Sequence, residues 1–67
     1  MKIYTLKQEG INAENGKVYG IAVLFISAAS ELVTSTSSFE FTEGSIAWDI
    51  NTGDCYGLKS SGDWVKQ

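Results

Sequence analysis

Ile46-Ala47-Trp48-Asp49-Ile50-Asn51-Thr52-Gly53-Asp54 runs directly into Cys55-Tyr56-Gly57-Leu58-Lys59-Ser60-Ser61-Gly62-Asp63, and the chain continues with Trp64-Val65-Lys66-Gln67. One short unit is written twice and begun a third time: an extended run, then a polar turn ending in Gly-Asp. Two such turns at this spacing predict a three-stranded antiparallel meander over about residues 46-50, 55-59 and 63-67. Read as three-residue loops with glycine in the left-handed position, Asn51-Thr52-Gly53 and Ser60-Ser61-Gly62 set the register. Ile50 is then expected to face Asp54, Trp48 to face Tyr56, and Ile46 to face Leu58. In the second hairpin Lys59 should face Asp63, and Leu58 should face Trp64. That register gathers Ile46, Trp48, Ile50, Tyr56, Leu58 and Trp64 on one inward face and leaves Ala47, Asp49, Cys55, Gly57 and Val65 on the other. On this reading Trp48 is a core residue whose truncation to Ala costs about 3 to 5 kcal/mol.

Working outward, Phe39-Glu40-Phe41 alternates as a strand does, and Thr42-Glu43-Gly44-Ser45 turns the chain into the meander. The Ser/Thr run from Thr34 to Ser38 reads as an extended loop, and Ser27 to Leu32 has room for a single helical turn. Before it, Lys17 to Ser27 is the most apolar run, rich in Val, Ile and Phe and without alternation. This predicts a central strand covered on both faces, with Gly20 marking a bulge or a close backbone approach. Asn15-Gly16 signals a two-residue type I′ turn that would set Glu14 against Lys17. An N-terminal hairpin, about 2-14 and 17-27, therefore precedes the meander, its polar first arm an exposed edge. The expected fold is all-β, a small antiparallel sheet or sandwich forming one domain over residues 1-67.

A chain of 67 residues buries only about 60% of its unfolded surface and commonly needs a disulfide, a metal or association for stability. Cys55 is the lone cysteine and histidine is absent, so an internal disulfide is excluded and neither a zinc site nor any other bound cofactor is expected. Association with copies of itself or with a larger assembly is the remaining aid. Five Lys against eight acidic residues, giving a net charge of -3 without clusters, argue against a nucleic-acid groove. The apolar run from Val18 to Ala29 is too short to span a bilayer, and no signal sequence is visible, so no membrane partner and a cytoplasmic site of synthesis are expected.

Catalysis finds little footing. Cys55 lies between Asp54 and Tyr56 without a recognisable base or positive surroundings, and reads as a filler of the sheet. Asp49, Asp54 and Asp63 sit beside turns, where aspartate normally solvates the loop, and they match neither the EF-hand nor the calcium β-roll pattern. The two Trp, three Tyr and three Phe are needed mainly for a core. Outside the meander, Tyr4 and Tyr19 are the candidates for an exposed contact surface, with Thr34, Ser35 and Thr36 supplying adaptable hydrogen bonds.

The stretch Gly44 to Leu58, continued by Ser61-Gly62-Asp63-Trp64-Val65, resembles the C-terminal part of small proteins encoded by phages and prophages of Gram-positive and gut bacteria. Those proteins share a Gly-Ser, a strand, a Thr-Gly-Asp turn, a Tyr-bearing strand and a closing Gly-x-Trp, and include head-fibre and minor structural proteins. The likeness covers about a third of the chain; Leu32-Val33-Thr34 stands here where such proteins tend to have Leu-Pro-Thr. It implies a non-enzymatic, virion-associated role, with the host cytoplasm as the location before assembly and the virion after it. It carries over no catalytic residue. The other reading left open by the residues is a small recognition module that binds carbohydrate or peptide through aromatic side chains.

Overall fold

The computed structural model describes all residues from Met1 to Gln67 and is all-β. Strands β1 (Lys2–Ile11), β2 (Val18–Ile26), β3 (Phe39–Phe41), β4 (Ile46–Asp49), β5 (Cys55–Leu58) and β6 (Trp64–Lys66) form one sheet. The order is β1-β2-β4-β5-β6, with β3 also on β2. The expected N-terminal hairpin is β1-β2 and the expected meander is β4-β5-β6. The sheet is mixed rather than purely antiparallel, because β3 and β4 both run parallel to β2. The long segment after Ile26 crosses over one face of the sheet before returning the chain beside β2, as a parallel pairing requires. No helix is long and apolar enough to cross a membrane.

Strand β2 is the spine. Ala22, Leu24 and Ile26 point to the covered face and join Phe41, Ala47 and Leu58 in the core, against which Leu32, Phe39, Tyr56 and Trp64 pack. The cover is the chain between Ile26 and Ile46, which makes a single 3-10 turn at Ala29–Glu31, within the helical turn expected there. Glu31 ties this cover down: its carboxylate accepts from the Ser27 hydroxyl at 2.5 Å and from the Ser27 amide at 2.7 Å, and it pairs with the Met1 ammonium at 3.1 Å. Trp64 Nε1 donates to the Val33 carbonyl at 3.0 Å and pins the far end.

β3 and β4 are two halves of one interrupted strand along β2. At the interruption Ser45 turns its hydroxyl inward, and its Oγ accepts the Ala22 amide at 3.1 Å, supplying the bond a continuous ladder would have made. Gly20 has the close approach its position suggested. A Cβ there would collide with the Lys7 carbonyl oxygen and come within 3.0 Å of Gln8 Cα, at the second of two register shifts in β1-β2.

Two turns differ from the reading of the sequence, and for one reason. Asp49 N–H donates to the Asp54 carbonyl and Gly53 N–H donates to the Asp49 carbonyl, so the loop has four residues, Ile50 to Gly53, instead of three. The Asp49 carboxylate, 3% exposed, accepts the amides of Asn51 at 2.9 Å and Thr52 at 3.2 Å and so starts the turn one residue early. Asn12 does the same in the first hairpin: its Oδ1 accepts the Glu14 amide, and Asn12 faces Lys17 across another four-residue loop. A type I′ turn would need Asn15 at positive φ, and no residue other than glycine has one. Lys59 has no side-chain acceptor, and Ser60-Ser61-Gly62 closes as the expected three-residue loop, with Lys59 against Asp63 and Leu58 against Trp64.

The slip of one residue at Asp49 reverses β4, since side chains alternate with period two. Trp48 faces Cys55 rather than Tyr56, and Ile46 faces Gly57 rather than Leu58. Ala47 and Asp49 point into the core, whereas Ile46, Trp48 and Ile50 are exposed. The two tryptophans lie on opposite sides of the sheet, and Trp48 is not the core residue the sequence suggested.

Candidate interaction surface

The reversal of β4 places bulky apolar side chains on the face the chain does not cover. Cross-strand partners there align in rows that cross all five strands of the main path. One row runs Tyr4, Val23, Ile46, Gly57, Val65. The next runs Lys2, Phe25, Trp48, Cys55, and reaches Gln67, whose amide donates to the Cys55 carbonyl. The Phe25 and Trp48 rings are tilted neighbours with centroids 6.3 Å apart. Tyr4 is 62% and Trp48 45% exposed, and Ile46, Ile50 and Val65 are exposed as well. Val23, expected to be covered on its side of the central strand, is only half-buried, as are Ile21 and Phe25. This contiguous apolar surface is the candidate surface for contact.

The sequence-nominated contact residues fall on two different sides. Tyr4 belongs to the open face; Tyr19, on the same side of β2, folds its ring over Gly10, where an added Cβ would sit 2.7 Å from the Tyr19 hydroxyl oxygen. Thr34 and Ser35 lie in the cover on the opposite side, lining a groove of about 520 Å³ with Leu32, Val33, Gly62, Asp63 and Trp64. Thr36 is spent on local structure, its hydroxyl oxygen accepting the Phe39 amide at 3.2 Å. The five residues are therefore not one site. Trp48 and Ile46 were missed as surface residues because their exposure depends on where the β4-β5 turn starts, the signal being Asp49 itself, an acceptor side chain five residues ahead of Asp54; Phe25 was missed because the central strand was expected to be covered on both faces, whereas Val65 lies on the outward face as expected.

Cys55 is exposed on the open face beside Trp48. No group of three His, Cys, Asp or Glu side chains is arranged to hold a metal ion. The Glu31 carboxyl is driven well below its ordinary value, down to about 2, first by the Ser27 hydroxyl, then by the Ser27 amide and the Met1 ammonium. That is a structural clasp of the cover. The chain matches no protein-family model, no curated protein and no solved structure.

Proposed function

We propose that the chain is a non-enzymatic structural or accessory module of a phage or prophage, one that assembles with itself or with a capsid or fibre component. The observation that supports this most directly is the open face: aromatic and aliphatic side chains lie in rows across the sheet on the side that the chain's own cover does not reach. A sheet with one face covered by its own chain and the other apolar and open is suited to being covered by protein. The resemblance of the Gly44 to Val65 stretch supplies the setting. Mass spectrometry of purified particles from a producing strain tests it: the chain is expected in stoichiometric amount with the capsid protein. Particles rich in capsid protein but lacking the chain, with the chain left free in the lysate, would overturn it.

The second reading, recognition of carbohydrate or peptide, has its own observation in the groove of Thr34, Ser35, Asp63 and Trp64. The indole is held by its bond to the Val33 carbonyl, so a planar apolar wall is fixed beside Thr34 and Ser35. Glycan and peptide arrays test this, with Thr34→Ala and Ser35→Ala as the variants expected to lose any specific signal.

A further inference from the structure

We infer that the open face of the sheet is covered by the same face of a second copy, turned over about a two-fold axis that runs along β4. This deepens the assembly reading above by naming the partner. The two halves of the face differ in height. On the β1-β2 side the rows carry Tyr4, Val23 and Phe25; on the β5-β6 side they carry Val65, Gly57 and Cys55. Rotation about β4 brings each half onto the other. Tyr4 then lies over Val65, Val23 over the hollow at Gly57, and Phe25 over the small Cys55. Ile46 and Trp48 meet their own counterparts at the axis. A self-complementary patch of this kind is what an isologous interface requires.

Charge selects the same arrangement. Lys2 and Lys7 lie on the β1 side of the face, and Asp63, paired with Lys59 by the last turn, lies on the β6 side. Neither Lys7 nor Asp63 has an ion-pair partner within the chain. Turning about β4 sets Lys7 over Asp63, whereas an axis perpendicular to the strands would stack the two lysine-bearing edges on each other. The result is an aligned two-sheet sandwich.

The edges of the sheet are poorer candidates. β1 is long, but register shifts interrupt it after Thr5 and after Gln8 and it carries Lys2 and Lys7; β6 spans only Trp64–Lys66. Both are features that discourage edge pairing.

Sedimentation equilibrium of the full chain, from low micromolar to near-millimolar concentration, is the test, read together with the reactivity of the Cys55 thiol. Twice the chain mass is expected, with Cys55 protected in the associated state. Trp48→Glu, at an exposed position, should weaken association by roughly 30-fold or more, leave the circular dichroism unchanged and free the thiol. Lys7→Asp and Asp63→Lys should each weaken the pair about tenfold, and the double exchange should restore it; these exposed variants keep the test decisive if Trp48→Glu misfolds. A monomer across the whole range, a mass of three chains or more, or a pair that ignores both Trp48→Glu and the charge exchange would overturn the inference. Particle incorporation is judged separately by the mass spectrometry above, so either proposal can fail without the other.

Discussion

The two faces of this sheet both carry bulky apolar side chains and differ in what lies over them. On the covered face Ala22, Leu24, Ile26, Phe41, Ala47 and Leu58 are buried, with Leu32, Phe39, Tyr56 and Trp64 packed against them, whereas on the open face Tyr4, Ile46 and Trp48 stay exposed and Phe25 half-buried. The cover, a largely irregular segment with one 3-10 turn, lies over one side only. Burial within this chain and the proposed contact surface thus fall on opposite sides of the same strands, and β2 contributes to both.

The sharpest contrast is between neighbours on β2 and β4 that differ only in the side they face. Leu24, fully buried, is expected to cost about 2 to 5 kcal/mol on truncation to Ala, through lost transfer energy and the cavity left behind. Trp48, although far larger, should cost the monomer less than about 1 kcal/mol, as surface substitutions away from special features do. Urea melts of both variants, with Trp48→Ala measured under monomeric conditions, check this. A Trp48→Ala loss equal to that of Leu24→Ala would return Trp48 to the core and erase the distinction between the faces.

Next in size is the repair at the β3-β4 interruption. Ser45→Ala removes the acceptor of the Ala22 amide where both residues are 0% exposed, and the unpaired amide is expected to cost about 1 to 3 kcal/mol. Because the sheet keeps its extent, the urea midpoint should fall with little change in slope, and the Ala22 amide should exchange faster with solvent. A neutral outcome would mean that the covered face is not as dry as its exposures indicate.

How much of this was legible in the sequence turns on Asp49. The number of strands, both hairpins, the last turn, the loop at 34 to 38 and the close approach at Gly20 follow from turn residues and β-branched content, which act locally. The parallel pairings of β2 do not, because they depend on a crossover that no local residue encodes. The open face was lost at one position: Thr-Gly-Asp and Ser-Gly-Asp look alike, yet Asp49 can accept two turn amides and Lys59 cannot accept any. One residue of loop length then exchanges core for surface along all of β4. Of the nominated contact residues, Tyr4 is on the open face, since its exposure rests on β1 being an edge and not on that turn. Asp49→Ala should accordingly destabilise by about 1 to 2 kcal/mol, the scale of two ordinary intramolecular hydrogen bonds lost, and Asp49→Asn, which keeps an acceptor, by less. Chemical shifts of Asn51 and Thr52 amides report whether the four-residue loop survives in each.

The smallest expected effect concerns how the cover is fastened to its side of the sheet. Glu31 has its carboxyl lowered from 4.5 to about 2 by the Ser27 hydroxyl, then the Ser27 amide and the Met1 ammonium. A folded-state value below the unfolded one means that the ionised carboxylate favours the fold. Its contribution is whole above about pH 5, is lost as pH falls through the interval between 4.5 and about 2, and is gone below it. Because the group lies in contact with water, the effect should be modest and weakened by salt. Thermal melts of the parent chain and Glu31→Gln should therefore differ near neutral pH and converge as pH falls towards 2. A gap that persists to the bottom of that range would mean that the glutamate acts through packing rather than charge, and that the cover is held to its face of the sheet by apolar contacts alone.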